Sequence, residues 1–189
     1  MLLTDNQIIH LCEEKELIKP FLKEQEEIHT ITHGPTPNGY DIRLGDKYTR
    51  LSGFKYIKHG SGKQPTMHDY EGGLIPKEGL TIHPRDCILI ESLEEFNFPE
   101  NVTAVIMNKS TWTKLFIFGP NTVIDGGYNG RLTLAMRNEG PWPVCIEKGM
   151  GIAHLIFHLS DGPVDKPYNG KYQGEKTLTT AKIGDKNAN

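Results

Sequence analysis

Cysteine is scarce in this chain of 189 residues, and the three present, Cys12, Cys87 and Cys145, lie far apart with no C-x-x-C pair. An odd, scattered set of thiols argues against a disulfide framework and a structural zinc site, and reads as reduced, partly buried cysteine. Eight histidines occur, yet H-E-x-x-H and H-x-E followed by P-C-x-x-C are both missing. A zinc centre of the protease or nucleobase-deaminase kind is therefore unsupported. Positive charge is not in surplus either: 21 Lys and Arg stand against 24 Asp and Glu, a formal net charge of −3. Nonspecific binding to duplex nucleic acid is not expected from such a balance, so any anionic ligand must meet a local site. Long hydrophobic runs are also missing, as is a basic segment leading into an apolar one at the start, M-L-L-T-D-N-Q. The expectation is a soluble, cytoplasmic protein with no membrane partner.

The length suits one domain with a real core, and we place it at residues 1–182, with residues 183–189 as a disordered tail. In T-D-N-Q-I-I-H-L-C-E-E-K-E-L, Thr4 or Asp5 can cap a helix whose apolar Ile8, Ile9, Leu11, Cys12 and Leu17 recur at helical spacing. From Gly39 onward the pattern changes. Glycine, proline and asparagine punctuate short alternating or apolar runs: Y-D-I-R-L, F-K-Y-I, L-T-I, C-I-L-I-E-S, V-T-A-V-I-M, L-F-I-F, R-L-T-L-A-M, V-C-I and I-A-H-L-I-F-H-L. Such spacing predicts a mainly β fold, a sandwich, jelly roll or small barrel, because a doubly wound α/β fold needs helices between its strands. Residues 59–73 are polar and glycine-rich and read as a loop, and residues 175–189 as a mobile arm.

Three stretches carry chemistry. N-K-S-T-W (residues 108–112) ends an apolar strand with a lysine and two hydroxyls, a plausible phosphate cradle, although a K-S-T turn by itself is usually only a solvated turn. V-I-D-G-G-Y (residues 123–128) sets Asp125 on a glycine turn, where aspartate commonly serves through its own side-chain hydrogen bonds. Asp125 follows buried-type residues, however, and Tyr128 adds an aromatic face for a sugar or base. K-Y-Q-G-E (residues 171–175) is either a segment that closes over a charged ligand or a plain polar tail.

These pieces occur in one order, with G-Y-D-I-R-L-G (residues 39–45) before them and G-M-G-I-A-H-L-I-F (residues 149–157) between the last two. In that arrangement the chain resembles the superfamily of trimeric dUTP diphosphatases and dCTP deaminases, over nearly all of residues 1–182. The N-terminal helix, G-Y-D-I-R-L-G and K-Y-Q-G look more like the deaminase branch, including its bifunctional members. The resemblance implies a distorted jelly-roll β fold with a short N-terminal helix, assembled as a homotrimer with active sites at subunit interfaces. It also implies a nucleoside triphosphate chelated to Mg²⁺, the metal being bound through the triphosphate and by no direct protein ligand. By the same resemblance Asp125 is catalytic, and Lys109, Ser110, Thr111, Lys171 and Gln173 hold phosphate. Val123, Tyr128, Tyr168 and Tyr172 fall on the nucleoside side, and Asp41 has a supporting role.

The departures point in one direction. Where the deaminases carry a glutamate that shuttles protons as water attacks the cytosine ring, this chain has Ala135, and a methyl group carries no proton. Arg137, two residues along on the same strand face, stays protonated and is a poor base. The stretch before Asp125 is shorter than in the deaminases, and His154 stands where the family generally has glutamine. The sequence therefore favours hydrolysis of dUTP to dUMP and pyrophosphate by an Asp125-activated water. Two alternatives stay open: a dCTP deaminase, bifunctional or not, whose glutamate has been replaced by Ala135 naturally or by design, and a catalytically silent deoxynucleotide-binding regulator.

Overall fold

Alternating side chains lay most of this chain down as antiparallel strands, and the computed structural model describes residues 1–51, 70–119 and 121–182. One helix precedes them, α1 (Asp5–Lys15). The first strands are β1 (Ile18–Lys19), β2 (Glu26–Ile28), β3 (Ile31–Thr36) and β4 (Gly39–Leu51), followed by β5 (Tyr70–Leu74), β6 (Leu80–Ile82), β7 (Cys87–Asn97) and β8 (Val102–Asn108). A second helix, α2 (Ser110–Lys114), leads to β9 (Ile117–Phe118), β10 (Thr122–Ile124), β11 (Asn129–Asn138), β12 (Val144–Ile146) and β13 (Gly151–Leu159).

Hydrogen-bonded neighbours run β10-β8-β13-β4-β7-β11-β9, while β12 pairs separately with β6. The long β4 joins the two halves of this curled sheet: Tyr40, Ile42 and Arg43 pair with β13, whereas Leu44 and Tyr48–Arg50 pair with β7. Inward side chains from both halves, among them Tyr40, Ile42, Ile88, Ile90, Phe96, Leu134, Leu155 and Phe157, form one core. This is the distorted jelly roll of the mainly β class, with its N-terminal helix.

Local chemistry sets the details. The Gln7 side chain accepts the Thr4 N–H at 3.0 Å and so caps α1, Ile8 and Cys12 face inward one turn apart, and Glu16 ends the helix in the left-handed region at φ 51°. Within the core, Arg43 Nε donates to Glu94 Oε1 at 2.6 Å and the Arg43 N–H donates to Oε2 at 2.9 Å. Burial raises the Glu94 pKa, and Arg43 opposes that shift.

Several sequence expectations are corrected. The K-S-T turn is the start of α2, a helix too short to show a period. Residues 70–73, expected in a loop, belong to β5, whose backbone pairs with β4. Val123, expected to be buried, is exposed, and only Ile124 of that pair is inside. The expected strand F-K-Y-I and most of the expected loop at 59–73 lie outside the described residues, as does the tail at 183–189. The arm expected from residue 175 is bonded to the sheet as far as Thr179, and Lys182 folds back onto Lys171, Tyr172 and Glu175.

Candidate active site

The turn after β10 sets the site. Tyr128 N–H donates to the Asp125 carbonyl at 3.2 Å, closing a four-residue turn through the backbone alone. Glycine is needed at both central positions for different reasons: a Cβ on Gly126 would lie 2.5 Å from the Glu100 carbonyl oxygen, and Gly127 adopts φ +88°. Asp125 is exposed, and its carboxylate has no hydrogen bond or ion pair among the described residues. The usual reason for aspartate in a turn, a bond to its own backbone, is therefore missing here.

That carboxylate lies on the wall of a cleft of about 810 Å³. Val123, Tyr128, Tyr168, Tyr172 and Ala135 line it too, so six sequence candidates share one cavity. Tyr128 is buried, meets Tyr168 edge-on with ring centroids 5.7 Å apart, and donates its hydroxyl to the Arg131 carbonyl at 2.6 Å. Burial pushes the Tyr128 pKa up, with the Tyr168 hydroxyl and Glu175 adding to the effect, so the phenol stays neutral and serves as a donor. On β11, Leu132, Leu134 and Met136 point into the core. Arg131, Thr133 and Ala135 alternate with them on the more open face, and the cleft wall runs along the strand from Arg131 to Ala135, with Leu132 and Leu134 included.

A bulge beside the site aims this strand. Between the pairs Arg131 with Glu95 and Thr133 with Glu91, the register slips. The loosened polar groups are met by the Arg131 guanidinium, which donates to the Ser92 and Leu93 carbonyls at 3.1 and 2.8 Å, and by Ser92 Oγ, which accepts the Leu132 N–H at 3.0 Å.

The C-terminal segment closes this end. Gln173 accepts the Asn129 N–H at 2.9 Å and donates to the Gly127 carbonyl at 2.8 Å, so it pins the tail to the Asp125 turn. Lys171 and Lys182 flank the Tyr172 ring, and each donates to the other's backbone carbonyl, at 2.7 and 2.8 Å.

Lys109, Ser110 and Thr111 do not line the cleft. Lys109 is buried and paired with Asp41, and it also donates to Thr32 Oγ1 at 3.3 Å. His154 Nδ1 lies 2.8 Å from the other Asp41 oxygen, directly across the β13–β4 pair. Trp112, buried on α2, donates to the Gly151 carbonyl at 2.8 Å and fastens the short helix over this cluster. The candidates thus fall into two groups in one chain: Asp125 with the aromatics and the tail, and Lys109 with Asp41 and α2.

The dCTP deaminase-like family model matches residues 2–160. The chain belongs to that dCTP deaminase-like family. The dCTP deaminase of Campylobacter concisus is 30% identical over 186 residues, spanning 95% of this chain and 97% of that protein. The dUMP-forming dCTP deaminase of Persephonella marina is 31% identical over 186 residues, with 97% of each chain covered. The crystal structure of a 2′-deoxycytidine 5′-triphosphate deaminase from Agrobacterium tumefaciens shares the fold, with a TM-score of 0.62 at 19% identity over 84% of this chain and 48% of that one. Membership of the dCTP deaminase-like family places the chain in nucleotide metabolism.

The cleft of this family member also holds residues that the motifs did not single out. Arg131 and Thr133 could have been found, since they share the alternation phase of Ala135. Thr179, Thr180 and Ala181 had no signal, and neither did Arg50, near the end of β4, and Arg85, in the turn before β7. Among the described residues, no three His, Cys, Asp or Glu side chains converge as a metal cage.

Proposed function

We propose that this chain hydrolyses dUTP to dUMP and pyrophosphate. The observation that carries the reading is Asp125: a carboxylate free of partners among the described residues, on the wall of the aromatic-lined cleft. In the reaction, Asp125 takes a proton from water as its oxygen bonds to the α-phosphorus. The bond from the α-phosphorus to the bridging oxygen breaks, pyrophosphate leaves with that electron pair, and Asp125 returns the proton to solvent. Mg²⁺ chelated by the triphosphate would neutralise its oxygens. Tyr128, with Val123, Tyr168 and Tyr172, bounds the nucleoside. Lys171 and Gln173 belong to the closing segment, and Lys109, Ser110 and Thr111 supply the cationic and hydroxyl cradle, with Asp41 holding Lys109.

The separation of Lys109 from Asp125 within one chain favours a homotrimer in which the two groups meet across subunit interfaces. A second reading is favoured by the names of the relatives: deamination of dCTP, with Ala135 in place of the proton-carrying glutamate. Ala135 lines the cleft, so Ala135→Glu puts the missing carboxylate in the right cavity. The test incubates the protein and this variant with dUTP, dCTP or dTTP and Mg²⁺, and measures pyrophosphate and ammonia separately. Pyrophosphate from dUTP without ammonia from dCTP is the expected result. Ammonia released from dCTP by the Ala135→Glu variant supports the second reading, and its absence removes it. Nucleotide binding with neither product leaves a silent deoxynucleotide-binding protein.

A further inference from the structure

Glu91 belongs to none of the motifs, yet it is 4% exposed in the middle of β7, opposite Thr133 and two pairs along from the rung that holds Ala135. A carboxylate there loses its hydration and must be met by donors. Its described donors all come from the C-terminal segment: the Leu178 N–H at 2.8 Å and Thr177 Oγ1 at 3.0 Å, both to Oε2. Lys47 Nζ donates to the same Thr177 hydroxyl at 2.7 Å, so a cation backs the arrangement. On either side the segment is tied to β11: Arg131 N–H donates to the Glu175 carbonyl at 2.7 Å, and Thr179 N–H donates to Thr133 Oγ1 at 3.0 Å. The strap so held delivers Thr179, Thr180 and Ala181 to the wall of the cleft that contains Asp125 and Ala135.

We propose that Glu91 is a positioning residue that docks residues 175–182 and thereby shapes the nucleotide cleft; its effect on turnover rests on the hydrolysis proposed above. Glu91 touches no substrate in this role and acts through the strap. A carboxylate suits it because one oxygen accepts two donors, and a charge-assisted bond to a backbone N–H holds the segment whatever its side chains are.

The test compares Glu91→Ala, Glu91→Gln and Thr177→Val. Glutamine keeps a carbonyl acceptor and conserves shape, so it is the rescue variant. Thr177→Val removes one donor from the strap side and leaves the sheet untouched, so it decides the matter if Glu91→Ala does not fold. Trypsin cleavage after Lys176 and Lys182, both exposed on the strap, reads docking without any need for activity. Expected are cleavage at least about fivefold faster in Glu91→Ala and in Thr177→Val and near-native rates in Glu91→Gln. With dUTP, KM rises about tenfold in Glu91→Ala at little-changed kcat, the factor that one lost charge-assisted bond carries. Native cleavage rates in Thr177→Val and in any folded Glu91→Ala overturn the proposal. Faster cleavage with unchanged KM overturns the part that concerns the cleft. If dUTP is not turned over at all, the cleavage result still stands and the failure belongs to the proposed reaction.

Discussion

At Asp125 an asparagine would serve the turn as well as the native aspartate does, since the turn is closed by backbone and glycine and receives nothing from the carboxylate. The substitution Asp125→Asn therefore separates folding from chemistry. It is expected to keep its melting temperature and its equilibrium binding of dUTP while hydrolysis falls by about 10² to 10⁴, the usual worth of a positioned general base. Turnover at the native rate would sink the assignment. The cysteines separate by burial in a similar way. Desolvation pushes the Cys12 thiol up to about 12, whereas Cys87 and Cys145 are exposed. Iodoacetamide at pH 8 is expected to label Cys87 and Cys145 and to spare Cys12 until the protein unfolds. Because the folded value is raised, the contribution of Cys12 is fully present below the ordinary thiol range. It is lost as pH climbs from about 9 toward 12, by about 1.4 kcal/mol per unit, and an alkaline urea titration reads that loss. Glu94 stands apart from these as a structural charge. Glu94→Ala leaves the guanidinium of Arg43, 12% exposed, with the Pro20 carbonyl but without its carboxylate, and is expected to cost about 3 kcal/mol in chemical denaturation, the low end for breaking a buried pair.

At the scale of elements, α2 depends on one indole. It has five residues, two of them β-branched, and its own hydrogen bonds do not sustain so short a helix. Trp112→Phe keeps the ring packing but removes the donor to the Gly151 carbonyl, and is expected to lower stability by about 1 to 2 kcal/mol in urea denaturation. An unchanged midpoint would mean that the bond is not what fastens the helix. The same element shows where reading the chain stops. Long strands such as β7, β11 and β13 announce themselves because alternation over many residues has only one explanation, burial of one sheet face. Residues 110–114 offer no period, and the two-residue and three-residue strands β1, β2 and β10 are defined by the strand they lie against. Asp125, Tyr128 and Ala135 are legible as an ordered motif. Glu91 is not, because its partners stand far along the chain and are mainly backbone groups. The strap reads as a polar arm for the same reason: its anchors are a buried carboxylate and groups on β11 far along the chain, and its own side chains carry little trace of them.

For the whole molecule, the distance between the Lys109 cluster and the Asp125 cleft is the fact to be explained. If complete sites form only between copies, two separately inactive variants restore one another. Lys109→Ala mixed with Asp125→Asn, after dissociation and reassociation, is expected to recover about a quarter of native activity, because random pairing joins the two intact halves in that share of sites. Recovery of nothing would argue that each chain carries a whole site by itself. The fold also contains its own light source for following such events. The chain has two tryptophans. Trp112 is 2% exposed beneath α2 and bonded to Gly151, whereas Trp142, after β11, is 75% exposed. A collisional quencher in the solvent should extinguish the second and leave the first glowing. The surviving emission then reports, without any attached dye, on the buried corner where Lys109 meets Asp41.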